Sequence, residues 1–214
     1  MNEYEQLMAL IRARRSVRRF SVRAVERDDI LRLVEAARWA PSNHNRQPWR
    51  FIVLEEKREI EQLAERVGTK LSEELKSLPR IASDYAGDFT HHATFFSQAQ
   101  VLIVVLHKRP ISLSNSILKG LSQPELVSGE PLSVAMAVQN LLLAAQALGL
   151  GSCVLTAPLI VQEAVRGALN FAPGYDLNCL VALGYPAETP PQPRRKGIEQ
   201  IVEFREDGNR QANK

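Results

Sequence analysis

Apolar residues recur along the chain with helical or strand periods, and these periods predict the order of the elements. Helical spacing predicts helices over residues 3–13, 30–39, 55–67, 69–79, 131–148 and 160–169. Apolar runs predict strands over residues 49–54, 101–106, 177–183 and 198–204. Asp28 or Asp29 is the expected N-cap of the second helix, and Gly68 is expected to end the third. Since the run at 101–106 is apolar throughout, we expect a strand covered on both faces.

The helix at 131–148 has so wide an apolar surface that we expect it to be buried nearly all round. Its small residues allow another helix to approach closely, and a second copy of the chain is a natural partner. Residues 80–98 and 107–130 lack a clear period and are interpreted as loops. The longer of the two is typical of a lid or a binding insertion.

Composition adds the broad class of protein. The 214 residues are 45% apolar and 24% charged, as in soluble globular proteins, and no repeat or linker divides a single domain over residues 1–214. No apolar run approaches the ~20 residues that a membrane span needs. Met1–Glu5 lacks the start of a secretory signal, and Cys153 and Cys179 are expected to be buried, reduced thiols. A cytoplasmic location is therefore expected.

The net charge of +3 is unevenly distributed. Residues 12–23 hold no acid and six arginines, namely Arg12, Arg14, Arg15, Arg18, Arg19 and Arg23. We call residues 14–19 the arginine segment and expect Val17 and Phe20 to anchor it. Guanidinium groups with a serine hydroxyl suit a phosphate on a small ligand, and a solvated basic loop is equally compatible with this composition. A nucleic-acid footprint is disfavoured, because the chain offers no recognition helix, stacking platform or zinc spacing.

A second candidate region is the polar loop, residues 41–48, between a predicted helix and a predicted strand. Its amide and hydroxyl groups carry no charge and suit a neutral polar ring or a polyol. The alternative is a turn whose polar residues bond their own backbone. Pro48 is expected to hold Gln47 in an extended conformation. The adjacent His91 and His92 have no third ligand nearby at metal-binding spacing, so no metal is expected.

Four stretches in this order resemble the FMN-dependent nitroreductase family. They are residues 14–20 (RRSVRRF), residues 40–49 (APSNHNRQPW), the helix from Ser133 with its Gly149-Leu150-Gly151 end, and Gly184-Tyr185-Pro186 with a basic cluster after it. Each stretch alone is weak, but together they span nearly the whole chain. The resemblance implies an α+β fold, a three-layer α-β-α sandwich around a mixed or antiparallel sheet, in an intertwined homodimer.

In that family both subunits build each of two FMN sites, and a C-terminal arm, here about residues 186–214, reaches onto the partner. The resemblance implies that Arg14, Arg15, Ser16 and Arg18 hold the FMN phosphate and the polar edge of the ring. Arg194 and Arg195 would approach the phosphate from the arm. The other subunit would cover the ring and ribityl chain with Pro41, Ser42, Asn43 and Asn45.

The backbone of Val154, Leu155, Thr156 and Ala157 would lie near flavin N5, and no catalytic side chain is expected. Many members carry a Glu-Gly pair where this chain has Thr156-Ala157. A backbone amide needs no particular side chain, so FMN binding should survive this difference.

The implied activity is a ping-pong reduction in which NADH or NADPH passes a hydride to FMN N5. A small acceptor, such as a nitroaromatic or a quinone, is then reduced on the same face. Three alternatives stay open: fragmentation of FMN to dimethylbenzimidazole, reductive dehalogenation of iodotyrosine, and FMN binding without turnover. For the fragmentation, Asp88 is the residue to examine first.

Overall fold

The structure, a computed structural model, describes residues 2–76, 86–109 and 129–205. Its helices are α1 (Glu3–Ala13), α2 (Arg27–Arg38), α3 (Lys57–Lys76), α4 (Ala86–Thr94), α5 (Glu130–Ala147) and α6 (Gln162–Leu169). Its strands are β1 (Trp49–Leu54), β2 (Val101–Lys108), β3 (Gly151–Leu155) and β4 (Tyr175–Gly184). Within the described ranges, no helix is long and apolar enough to span a bilayer.

The four strands form one antiparallel sheet in the order β1-β2-β4-β3. Trp49 of β1 pairs with His107 of β2, and Gly151 of β3 pairs with Gly184 of β4. The strands β1 and β3 therefore form opposite edges of the sheet. This arrangement matters below, because each edge carries one of the two candidate regions.

Helices cover both faces of the sheet, as the apolar run of β2 predicts. Leu102, Val104 and Leu106 belong to a core cluster with residues of α3, α4 and α6. The alternate residues Val101, Ile103 and Val105 belong to a second cluster with α2 and α5. All six are at most 2% exposed, and each such side chain contributes roughly 1.5–3 kcal/mol through burial. The α-β-α sandwich is thus confirmed, and the sheet is antiparallel rather than mixed.

The predicted long helix is confirmed as α5, which has a proline in its first turn. Val134, Leu141 and Ala145 are fully buried. The expectation of burial all round is wrong for this chain alone, because Leu132 is 69% exposed and Met136 41%. These two residues lie on a side of α5 that the described residues leave uncovered.

The predicted break at Gly68 is wrong, because α3 continues through it to Lys76. A glycine inside a helix costs about 1 kcal/mol, whereas Val67 and Leu71 on either side are fully buried. Their burial outweighs the cost, so one helix replaces the predicted pair as far as residue 76. Residues 77–79 of the predicted second helix lie outside the described residues.

The prediction of a loop is also wrong for most of residues 80–98. Residues 86–94 form α4, and Phe95–Gln98 form a 3₁₀ turn. Ala93 and Phe96 are fully buried in the cluster that contains α3. Packing against the core therefore stabilises helical structure in a stretch whose apolar residues show only a weak helical period. Residues 80–85, and residues 110–128 of the second predicted loop, lie outside the described residues, while 107–108 extend β2.

Two boundaries and one strand need correction. Glu26, not Asp28 or Asp29, precedes α2, and both aspartates lie in its first turn. The helix predicted from residue 160 begins as a 3₁₀ turn, Ala157–Val161, before α6. The predicted last strand is a 3₁₀ turn, Ile198–Gln200, followed by residues without a strand partner in the described ranges. Residues 198–204 are exposed, so nothing in the described chain holds them extended.

Candidate functional site

The arginine segment lies along the outer edge of β3. The Val17 amide donates to the Ser152 carbonyl at 3.0 Å, and Ser16 forms a parallel bridge with Ser152. Further on, Phe20 forms an antiparallel bridge with Pro186. Val17 is buried and Phe20 packs against the core, so the prediction that these two residues anchor the segment is confirmed.

Two glycines make room for these anchors. A Cβ at Gly151 would lie 2.8 Å from Val17 Cγ1, and one at Gly184 would lie 3.0 Å from Phe20 Cδ1. Real Cβ atoms essentially never approach as closely as the first distance. The glycines of the Gly-Leu-Gly and Gly-Tyr-Pro stretches therefore allow the arginine segment to lie directly against the sheet.

A cleft of about 420 Å³ opens between α1, the arginine segment and the C-terminal arm. Arg14, Arg15 and Arg195 line it together, and none of the described residues that line it is acidic. The other lining residues are Met8, Ile11, Arg12, Gln139, Gln192 and Pro193. The structure thus brings three of the predicted site residues together. Four guanidinium groups around one cleft favour an anion with several oxygens, such as a phosphate.

Ser16 and Arg18 are not among the residues that line that cleft, and both act on the thiol of Cys153 in β3. Burial raises the pKa of the Cys153 thiol and outweighs the opposing effects of Arg18, the Ser16 hydroxyl and Arg14. The Arg18 guanidinium also lies 5.9 Å from the centre of the Phe95 ring. Burial raises the pKa of Cys179 to about 12. Both thiols are free and buried, as predicted.

The backbone of β3 beyond Ser152 forms the next part of this edge. Since Ser152 accepts a hydrogen bond from Val17, its peptide groups point away from β4. Alternate residues of an antiparallel strand point the same way, so the peptide groups of Val154 also face outward. The Leu155 side chain is buried, whereas Thr156 is exposed. The Thr156 carbonyl accepts from the Leu159 amide at 3.0 Å and opens the 3₁₀ turn that includes Ala157.

The polar loop precedes β1, at the other edge of the sheet. His44, Asn45 and Gln47 have φ values of 50°, 52° and 47°. A non-glycine residue in this left-handed region costs roughly 1–2 kcal/mol. The expected extended conformation of Gln47 is therefore wrong. Its amide instead donates to the Ser42 hydroxyl at 3.0 Å, which closes the loop on itself.

Bonds to the start of α5 hold the polar loop. The Asn43 amide donates to the Ser133 hydroxyl at 3.2 Å, and that hydroxyl donates to the Gly129 carbonyl at 2.7 Å. Arg46 pairs with the buried Glu130 at 3.2 Å. These bonds compensate for the backbone strain, and strain of this kind is typical of functional sites.

The structure therefore gathers the predicted residues into two groups at opposite edges of the sheet. Pro41, Ser42, Asn43 and Asn45 lie beside β1, while the arginine segment and residues 154–157 lie beside β3. Three inter-strand spacings separate the two edges, about 14 Å. Arg194 is exposed and is not among the residues that line the cleft. In one chain the two groups do not meet.

Several residues of the site are not among the predicted site residues. Arg12, Gln139 and Gln192 line the cleft, and Glu188 contacts the arginine segment. Arg12 lies in the arginine-rich stretch, and Glu188 is the first acid after Gly-Tyr-Pro, so these two carry a sequence signal. Asp88 is exposed in the first turn of α4, away from the cleft lining. The described residues contain no group of three His, Cys, Asp or Glu that could hold a metal.

Comparisons with known proteins identify the family and the fold. The model of the nitroreductase family matches residues 11–185. An iodotyrosine deiodinase from Thermotoga neapolitana is 28% identical over 203 residues, covering 94% of this chain and 98% of that protein. A BluB-like flavoprotein from Clostridium difficile 630 is 29% identical with a TM-score of 0.82, covering 94% of this chain and 99% of that one. An iodotyrosine deiodinase bound to FMN and 3-iodo-L-tyrosine has the same fold, with a TM-score of 0.72 and 24% identity, covering 94% and 99% of the two chains.

Proposed function

The chain belongs to the nitroreductase family, and from this premise we propose that it is an FMN-dependent oxidoreductase. It uses NADH or NADPH to reduce a small organic acceptor, such as a nitroaromatic or a quinone. The observation that carries the proposal is the arginine-lined cleft beside the outward-facing backbone of β3. The cleft suits the phosphate end of the cofactor, and the backbone edge suits the polar edge of a flavin ring.

The phosphate would be held by Arg14, Arg15 and Arg195. Their guanidinium groups come from two separate parts of the chain and line the same cleft. A charge-assisted hydrogen bond contributes roughly 1.5–3 kcal/mol, so this group supplies a large share of the affinity. Arg194, next to Arg195 on the arm, adds positive potential from outside the cleft.

The ring would lie against β3. Ser16, Arg18 and the outward peptide groups of Val154 offer donors and an acceptor for its polar edge, with the backbone of Leu155, Thr156 and Ala157 further along. When bound, FMN supplies the hydride chemistry. The chain's own residues would orient the ring and limit access to it.

The polar loop would cover the ring from a second copy of the chain. Its residues lie at the opposite edge of the sheet from the arginine segment, so one chain would supply only half of the site. Apolar residues are also left exposed outside the sheet. The helix α1 buries none of its residues, and Ile198, Ile201 and Phe204 of the arm are at least 67% exposed. An intertwined homodimer would cover these residues and bring the two halves together.

Anaerobic spectroscopy of the purified protein tests this proposal. After incubation with FMN and gel filtration, the protein should keep a flavin band near ~450 nm, a property of flavins in general. NADH or NADPH should bleach that band, and a nitroaromatic or a quinone should restore it. A protein that retains no flavin would refute the proposal. If neither NADH nor NADPH bleached the bound flavin, the protein would be an FMN-binding protein without turnover.

Reductive deiodination is the second candidate, because a deiodinase matches this chain over nearly the whole length of both. In that reaction two electrons and a proton reduce 3-iodo-L-tyrosine. The carbon–iodine bond breaks, a carbon–hydrogen bond forms, and iodide and tyrosine are released. The FMN-loaded protein with dithionite as electron donor should form tyrosine if this candidate is correct. Absence of tyrosine, with nitroaromatic reduction retained, would favour the first proposal.

A further inference from the structure

Glu188 lies at the junction between the arginine segment and the C-terminal arm. One of its carboxylate oxygens, Oε1, accepts hydrogen bonds from the backbone amides of Arg18 at 2.6 Å and Arg19 at 3.1 Å. The Ala187 amide donates in turn to the Arg19 carbonyl at 2.9 Å. Two successive amides that point at one oxygen form an anion-binding concavity, and here an internal carboxylate fills it.

This carboxylate has a consequence for ligand binding. Because Glu188 occupies the amides of Arg18 and Arg19, a bound phosphate must be recognised by guanidinium groups rather than by this stretch of backbone. Glu188 is also partly buried, and it contributes to the electrostatic environment of Cys153. It therefore belongs to the same region as Ser16 and Arg18.

The chain between Glu188 and Arg195 is stiff. Pro190, Pro191 and Pro193 restrict it, and its backbone runs without a helix or a strand. A proline-rich segment extends by about 3.1 Å per residue, so about 22 Å separates the two residues when the arm is straight. Fixing one end of a stiff segment also limits where the other end can lie, and Gln192, Pro193 and Arg195 do line the cleft.

We propose that Glu188 is a positioning residue for the phosphate side of the site. Its carboxylate fastens the start of the arm to the arginine segment, and the stiff arm then delivers Arg195 to the cleft beside Arg14 and Arg15. This inference rests on the proposed binding of FMN for its functional consequence. The fastening itself is a property of the chain without any ligand.

If Glu188 acted only through its charge, its removal should tighten FMN binding, because a carboxylate among arginines repels a phosphate. Positioning predicts that Glu188→Ala weakens FMN binding by about tenfold, the equivalent of about 1.4 kcal/mol. Glu188→Gln keeps an oxygen that accepts from both amides, so it should bind FMN nearly as well as the wild type. Riboflavin, which lacks the phosphate, should bind all three proteins alike.

The decisive experiment is a double-mutant cycle with Arg195→Ala, read as FMN affinity by fluorescence quenching. If Glu188 acts through Arg195, Glu188→Ala should have almost no further effect in the Arg195→Ala background. A full tenfold loss in that background, tighter binding by Glu188→Ala, or an equal loss for riboflavin would each overturn the proposal.

Hydrogen exchange of the flavin-free protein gives an independent readout. The amides of Arg18 and Arg19 should lose protection in Glu188→Ala and keep it in Glu188→Gln. Unchanged protection in Glu188→Ala would contradict the fastening even if the protein bound no FMN. Conversely, loss of protection in Glu188→Ala, together with a wild-type protein that binds no FMN, would contradict the proposed function alone.

Discussion

The arginine segment and the polar loop are held in place by different means. Backbone bonds and buried anchors fix the arginine segment against β3, and none of its residues has a positive φ. Side-chain bonds from Ser42, Ser133 and Glu130 fix the polar loop, which contains three of the four described non-glycine residues with positive φ. The arginine segment therefore carries many charges on an unstrained backbone, whereas the polar loop has a strained backbone and few charges.

This difference predicts that substitutions in the arginine segment change FMN affinity, whereas substitutions in the polar loop change the stability of the fold. Arginine side chains on a sheet-anchored backbone can change without disturbing the fold, so their loss should affect affinity alone. A strained loop depends on the few side chains that hold it, so their loss should affect stability first. Substitutions in each region can therefore break or sharpen the comparison.

The largest effect is expected where the arginine segment contacts the sheet. Gly151→Val would force a side chain into Val17 and should lower the free energy of unfolding by about 3 kcal/mol, with loss of FMN binding. Chemical denaturation and FMN titration measure both effects. Gly167→Ala is the control: a Cβ there meets nothing within 4 Å, and α6 should gain about 0.5–1 kcal/mol. Equal stability of the Gly151→Val protein would contradict the close packing.

Removing one charge from the cleft should have the next largest effect, on affinity alone. Arg14→Ala should weaken FMN binding by about 1.5–3 kcal/mol and leave the melting temperature of the flavin-free protein unchanged. Arg58→Ala, at an exposed arginine of α3, is the matched control and should change neither quantity. If Arg14→Ala destabilised the flavin-free protein as much as it weakened binding, the separation of binding from folding would fail.

The polar loop should respond in the opposite way. Ser133→Ala leaves the Asn43 amide without its acceptor and should destabilise the flavin-free protein by about 1–2 kcal/mol. Ser72→Ala, also in a helix and only partly buried, controls for the helix propensity of alanine. Thermal unfolding of both variants is the measurement. A Ser133→Ala protein as stable as its control would show that this bond does not hold the loop.

The smallest effect is expected from relief of strain. His44 is exposed with φ 50° and ψ 30°, so His44→Gly should stabilise the protein by about 0.5–1 kcal/mol. His44→Ala keeps the Cβ and should give no such gain. Denaturant midpoints of the two variants decide the question. Equal midpoints would mean that the left-handed backbone at residue 44 carries no strain.

The sequence predicts the core elements well because their signals are local. The apolar run of β2 and the wide apolar face of α5 depend only on the period of their own residues. In contrast, α4 and the passage of α3 through Gly68 depend on packing between distant segments. Neither can be inferred from a local period.

The candidate site follows the same division. Arg14, Arg15 and Arg195 are predictable from charge and resemblance, and the structure brings them to one cleft. The bonds that hold the site are not predictable, because Ser133 and Glu188 act on partners far away in the sequence. The apolar residues 198–204 resemble a strand locally, but the described chain gives them no neighbouring strand. A second copy of the chain is the partner that we propose for them.

The central claim is that each FMN site combines the arginine segment of one chain with the polar loop of another. Dimers that pair an Arg14→Ala chain with an Asn45→Ala chain, purified through two different tags, test it most directly. A shared site predicts one FMN per dimer at wild-type affinity and a second, much weaker one that carries both defects. If each site lay within one chain, no site of wild-type affinity would form, and that result, or a monomer that binds FMN, would contradict the claim.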